Sequence, residues 1–491
     1  MPKRFFRLSY YELPQAIDTS RLGSISEYYL AANLGGTLVV LGAADQYYSC
    51  LARRWEVDRT KNTLTFTLDP RAHFSNGDPI TTEDVVSTFK RLALNGSFHF
   101  AVRELLLGAD RLQRMEDPFP GVVALDAAQV RFTFHQLSPL SLYLFTMADT
   151  SILHRSQVEG ARLAVDNWAV SSGAYSVAAW EPGKLRLRKN PHFPLIEPTS
   201  LEELELVEVR ERDKLIEGLV SGGLQYTLES FLTTEAGYDK LLASPSIEIR
   251  PRSYCATMFL FLFPRLELMQ SKANRQALYR QLYQAKLDLR PLKNEWFSPA
   301  YHLYLPTQLG KPSQEEVETL LATFPSEPPR ALRDNRFEYL YMPWLFDDRS
   351  GNILIEFMQK FGFVANANRF VSNEDWVARK PKYLFFGSPL YIDERELHET
   401  FSYMLSVGLY FKENAEKVRA LNLRLAAEQD DFKRAALTKE IGLLLVDDAL
   451  VFPLYHVIRQ DFLHREYEFS AVNGFHGTPT LWRLRKRAPQ P

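Results

Sequence analysis

The sequence predicts an α/β chain with more than one lobe, and three observations carry that expectation. Stretches with the two-residue period of strands interleave with stretches of helical period along the whole chain. No short repeat recurs, so a solenoid is excluded. A length of 491 residues with 46% hydrophobic content supplies a large core, expected to divide over two or three lobes.

The elements follow in order. Phe6 to Tyr11 reads as a strand, so the fold begins at the first residues. Leu64, Phe66 and Leu68 alternate with Thr63, Thr65 and Thr67, the pattern of a half-buried strand. Asn76-Gly77 supplies a residue tolerant of positive φ. Thr81 stands three residues before Asp84, the spacing of a capping box, and Val85, Val86, Phe89 and Leu92 then recur at helical spacing. Residues 171–193 give two strands joined at Glu181-Pro182-Gly183. The apolar run 258–263 fits a fully buried strand, and 273–287 is an amphipathic helix. A helix over 352–362 leads to a strand over 363–371, and 381–387 is a short buried strand. Residues 414–445 are charged and helical, as two helices, and 449–457 closes with a strand. Proline-rich stretches near 306–313 and 325–329 read as surface connections.

Several function classes are set aside. The 58 basic and 60 acidic residues nearly cancel, so the net charge of −2 gives no electrostatic footprint for nucleic acid or a membrane surface. The basic tail RLRKRAPQP reads as a solvated end. Cys50 and Cys255 are the two cysteines; they form one disulfide or none, and no cluster has metal-ligand spacing, so neither metal nor cofactor is expected. The start MPKRFFRLSYYELP lacks the apolar core of a signal peptide, and no run of membrane-spanning length occurs. The chain is therefore expected in the cytoplasm, or in the periplasm if a signal has been removed or lies upstream. No nucleophile elbow, zinc-protease helix, P-loop or dinucleotide fingerprint is present, and His398-Glu399 lacks a second histidine, so no enzyme is expected. The paired acids Asp347-Asp348 and Asp447-Asp448 read as solvated, and His456 as a satisfied core histidine.

The order of these pieces adds something. Leu51, Ala52, Trp55, Glu56, Val57, Asn76, Gly77, Pro79, Thr81, Glu83, Asp84, Val85, Phe89 and Arg91 form a pattern that resembles the extracytoplasmic solute-binding proteins of family 5. These are the peptide-binding components of ABC importers and their relatives. A second landmark runs through Gly173, Tyr175, Val177, Trp180, Pro182, Gly183, Asn190 and Pro191. A third is the run 258–287, and a fourth Pro453 to His456. The resemblance implies a two-lobed fold of the periplasmic-binding-protein type (type II) with an extra subdomain, closing by a hinge around a central cleft. Carried over, lobe I comprises 1–48, 169–250 and 452–491, the inserted subdomain 49–168, and lobe II 251–451. The implied partners are a peptide or other small solute and a membrane permease; a monomer is usual.

The resemblance also implies ligand contacts. Gly35 and Gly36 lie where the first lobe approaches the cleft, and Ser171, Ser172 and Gly173 match a cleft-facing loop. Tyr254 stands at the entrance to the second lobe, and Trp376 precedes its strand. The stretch 384–401 resembles the segment whose aspartate holds a peptide ammonium group, placing Gly387, Ser388, Leu390, Tyr391 and Asp393 at the site. Leu390 falls at the aspartate's position when Tyr391 is aligned, and a leucine holds no ammonium; Asp393 is the candidate substitute. Residues 294–306 also resemble the solute-binding half of SgrR-type transcription regulators, which implies an alternative as a cytoplasmic small-molecule sensor.

Overall fold

The computed structural model describes residues 5–22, 25–42, 46–95, 100–138, 141–158, 165–227, 235–262, 267–288, 297–327, 336–341, 359, 364–369, 385–390, 397–407, 411–469 and 480–488. The chain divides into two compact units, 1–250 with 461–491, and 251–460.

In the first unit, β1 (Phe6–Tyr10) is the parallel centre of a sheet. The hairpin β2 (Val39–Leu41) and β3 (Tyr47–Ser49) follows. Four strands then form a separate antiparallel sheet: β4 (Ala52–Asp58), β5 (Thr63–Leu68), β6 (Val122–Ala124) and β7 (Gln129–Thr133), in the order β4-β5-β7-β6. The central position of β5 corrects the half-buried expectation. Leu64 and Phe66 are buried as anticipated, but so are Thr63 and Thr67, because both faces of β5 are covered.

The turn and helix after β5 form as their residues dictate. Gly77 has φ +90°, its N–H donates to Phe74 O (2.9 Å), and Asn76 Oδ1 accepts from Asp78 N–H (3.1 Å). The helix Thr82–Asn95 begins with a reciprocal cap: Asp84 N–H donates to Thr81 Oγ1 (3.2 Å), and Asp84 Oδ2 accepts from Thr81 N–H (2.9 Å). Val85, Phe89 and Leu92 are buried. Phe66, Phe89, Phe132 and Phe145 pack together there, with Phe132 and Phe145 centroids 4.5 Å apart, edge to face.

The main sheet of this unit continues with β8 (Tyr175–Glu181), β9 (Lys184–Lys189), β10 (Glu203–Glu208) and β11 (Tyr226–Thr227), in the order β11-β1-β10-β9-β8. Pro182-Gly183 turns β8 into β9, with Gly183 at φ +75°. The chain crosses between units twice: after Arg250 inside β12 (Ile247–Leu262), and after Gln460 inside β17 (Val451–His464). Leu463 of β17 pairs with Tyr226. The short strands β18 (Tyr467–Phe469) and β19 (Leu484–Lys486) then return the tail to the first unit, where Leu481 N–H donates to Asn33 Oδ1 (2.8 Å).

The second unit holds β13 (Phe297–Pro299), β14 (Arg336–Tyr341), β15 (Val364–Arg369) and β16 (Phe385–Leu390), in the order β15-β14-β16-β12, with β13 on β17. Two strands outrun their expected ends: β17 reaches His464, and β16 reaches Leu390 because its ladder with β12 continues to the pair Thr257–Leu390. The helices Leu397–Val407, Ala415–Ala427 and Asp431–Asp448 build the core with Phe259, Phe261 and Tyr304. The two charged helices fall where anticipated. The helix over 352–362 lies mostly outside the described residues. Among the described residues, no helix is long and apolar enough to cross a membrane.

Candidate functional site

The first-unit residues singled out from sequence come together at one junction. The helix Ile25–Leu34 ends at Gly35-Gly36, residues 151–152 pass beside it, and 171–173 lead into β8. Gly36 N–H donates to Ser172 Oγ (2.9 Å), whose hydroxyl donates to Ile152 O (2.5 Å), while Ile152 N–H donates back to Gly36 O (2.8 Å). Gly173 N–H donates to Leu34 O (3.0 Å), and Gly173 O accepts from Asn190 Nδ2 (2.9 Å). Ser171 Oγ donates to Tyr175 O (2.5 Å), and Ser75 N–H donates to Ser171 O (2.8 Å).

Close approach explains the glycines. A Cβ on Gly173 would stand 2.6 Å from Leu34 C and 2.8 Å from Gly35 N. One on Gly36 would stand 2.5 Å from Ser172 O, and one on Gly35 2.1 Å from Ser151 Oγ. Ser171 and Ser172 are both 1% exposed, and each hydroxyl proton is committed to a main-chain carbonyl. These serines brace backbone.

Asp149 lies two residues before Ser151 and was missed from sequence. It is buried, and burial pushes its carboxyl well above the usual carboxylate range. Its only sequence signal is an acid inside the apolar run LYLFTMADTSIL.

In the second unit, Gly387, Ser388 and Leu390 occupy β16, opposite Leu260, Phe259 and Thr257. Thr257 is fully buried, and its Oγ1 lies 2.9 Å from His456 Nδ1. His456 is therefore a hydrogen-bonded core histidine, as read. Tyr254 lies within β12, while Trp376, Tyr391 and Asp393 lie outside the described residues. Cys50 is a free, buried thiol, so no disulfide joins it to Cys255. Among the described residues, no group of three metal-ligating side chains is suited to hold a metal ion. Asp448 corrects the solvated reading of the paired acids: it is fully buried.

Two α/β units linked by two chain crossings are a fold shared with solved structures. The fold matches that of the Escherichia coli murein tripeptide binding protein MppA with a TM-score of 0.80, covering 99% of each chain at 17% identity. Residues 46–280 match the model of the bacterial extracellular solute-binding proteins, family 5 middle region, the family that the sequence landmarks resemble. Among curated relatives, 155 residues are 28% identical to the probable D,D-dipeptide-binding periplasmic protein DdpA of Escherichia coli, covering 29% of this chain and 27% of that protein. A further 149 residues are 28% identical to the peptidoglycan-binding protein YepA of Agrobacterium fabrum, covering 30% and 22%. The matched stretch thus spans about a quarter of the length of these two relatives.

Proposed function

We propose that this chain is the solute-binding component of an ABC importer, taking a peptide or peptide-like solute between two lobes and handing it to a membrane permease. The observation that carries the reading is the match of nearly the whole fold to a murein tripeptide binding protein, joined to the family 5 region over 46–280. In this reading the protein works outside the cytoplasm, as a monomer and without catalysis. Lobe I is made from 1–48, 169–250 and 452–491, the subdomain from 49–168, and lobe II from 251–451.

The junction of 35–36 with 171–173 would serve as a rigid wall of the ligand site, braced by the Ser171 and Ser172 hydroxyls. Tyr254, Trp376, Gly387, Ser388, Leu390, Tyr391 and Asp393 would supply the second lobe's contacts. Leu390 in place of an acid favours a ligand whose amine is acylated, because a water-excluding site that takes up an ammonium group needs a fixed carboxylate opposite it. Wall-derived peptides fit the names of two similar proteins, the murein tripeptide binding protein and the peptidoglycan-binding protein.

Titration calorimetry with a murein tripeptide, in free-amine and N-acetylated forms, tests this. The acetylated form should bind at least as tightly as the free one. Absence of heat with either form, and with a panel of mixed short peptides, would overturn the peptide reading.

A further inference from the structure

The second unit contains a charge cluster around two buried members, Arg275 and Asp448, whose charges do not pair off. Arg275, fully buried, is its centre. Its Nε donates to the main-chain O of Asp448 (2.9 Å), Nη1 to Met269 O (2.9 Å) and Gln270 O (3.1 Å), and Nη2 to Glu413 Oε2 (2.6 Å). Three acids lie around it. Glu413 has Arg275. Asp447 has Lys272, 2.5 Å away, and also accepts from Gln276 and Asn414. Asp448 receives neutral donors alone: Lys412 N–H to Oδ2 (2.9 Å) and Asn414 Nδ2 to Oδ1 (2.7 Å). The Lys412 ammonium turns instead to Gln270.

Asp448 thus has no cation in hydrogen-bond contact among the described residues. It also ends the 18-residue helix Asp431–Asp448, where the helix dipole is negative and a further anion is unwelcome. The groups facing it are Asp447 from its own helix, Lys412 and Glu413 from the loop before helix 415–427, and Arg275 and Lys272 from helix 272–288. Burial first, and the Glu413 charge after it, push its carboxyl up to about 6, against the Lys412 N–H, Arg275 and Asn414.

We propose that Asp448 is a proton-operated latch in the second unit, binding a proton in mild acid and thereby relieving the cost of a buried anion without a cation at the end of helix 431–448, which favours the closed state of this region. The direction follows from linkage. An unfolded Asp titrates near ~3.9, so the folded unit binds this proton more tightly. The stabilisation is fully present below that value and is lost as pH rises through about 6. Glu316, Glu318 and Glu428 are held below the usual carboxylate range by hydrogen bonds and give the opposite trend, so the effect must be read against a variant.

Asp448→Asn keeps a carbonyl oxygen for the Lys412 N–H and removes the titration. Hydrogen exchange of peptides within 411–450, followed in the full chain, reports the opening equilibrium of this region. Between pH 4.5 and 7.5 the wild type should lose roughly twentyfold in that equilibrium relative to the variant. In the wild type, the carboxyl carbon signal of labelled Asp448 should titrate with a midpoint near 6. A ratio that stays constant over this range, or a midpoint below pH ~4.5, would overturn the latch. If the variant does not fold, the carboxyl titration of the wild type decides alone.

Discussion

Substituting Gly173 with alanine asks whether the first-unit junction is as closely built as its hydrogen bonds imply. The new Cβ would stand 2.6 Å from Leu34 C, 2.7 Å from Leu34 O and 2.8 Å from Gly35 N. All three are backbone atoms, so no side-chain rotation relieves the clash. Reaching ordinary carbon contact requires the two segments to part by about 0.9 Å. Overpacking of this kind costs about 1–3 kcal/mol. Stretching the Gly173 N–H to Leu34 O bond, 3.0 Å at rest, adds about 1 kcal/mol. The expected loss is therefore about 2–4 kcal/mol, a fall in Tm of about 3–7 °C for a unit of this size. Calorimetry of the full chain measures it. Gly77→Ala is the control: φ is +90°, but nothing lies within 4 Å of the added Cβ, so only about 1 kcal/mol of backbone strain applies. A Gly173→Ala protein no less stable than Gly77→Ala would refute the close-approach reasoning.

Two further outcomes are expected. Asp18 and Arg91 form an ion pair of 2.8 Å, each 3% exposed, between the loop after β1 and the helix Thr82–Asn95. Replacing Arg91 with methionine should cost about 3–5 kcal/mol by denaturant unfolding, with part recovered when Asp18→Asn is added; strict additivity would deny the coupling. Burial pushes the Cys50 thiol up to about 12, so it should resist a thiol reagent at pH 8 until the first unit unfolds. Modification of Cys50 in the native protein at the rate of a free thiol would contradict that burial.

Local patterns in this sequence were legible where one element determines its own geometry. The Asn76-Gly77 turn, the Thr81–Asp84 cap, the Pro182-Gly183 hairpin and the two helices after Asn414 all depend on neighbours within a few residues. What escaped depends on distant partners. Thr63 and Thr67 read as an exposed face, because their alternation does not reveal that β5 is central and covered on both sides. The end of β16 is not legible locally, because the pairing of Leu390 with Thr257 joins residues more than a hundred positions apart. Asp448 read as solvated because the buried Arg275 that meets it comes from another helix. The resemblance puts Ser171 and Ser172 on a cleft-facing loop; their bracing bonds to Tyr175 O and Ile152 O are a separate role that the sequence does not announce.

The central claim is that the chain captures a peptide-like solute, and the most direct measurement is native mass spectrometry of the protein as purified from its own host. The complex is weighed intact, then denatured, and whatever is released is weighed. Released masses should fragment as short peptides, with acylated amines among them. A released ligand that is no peptide, or a protein that stays unliganded and also refuses a peptide panel, would contradict that claim.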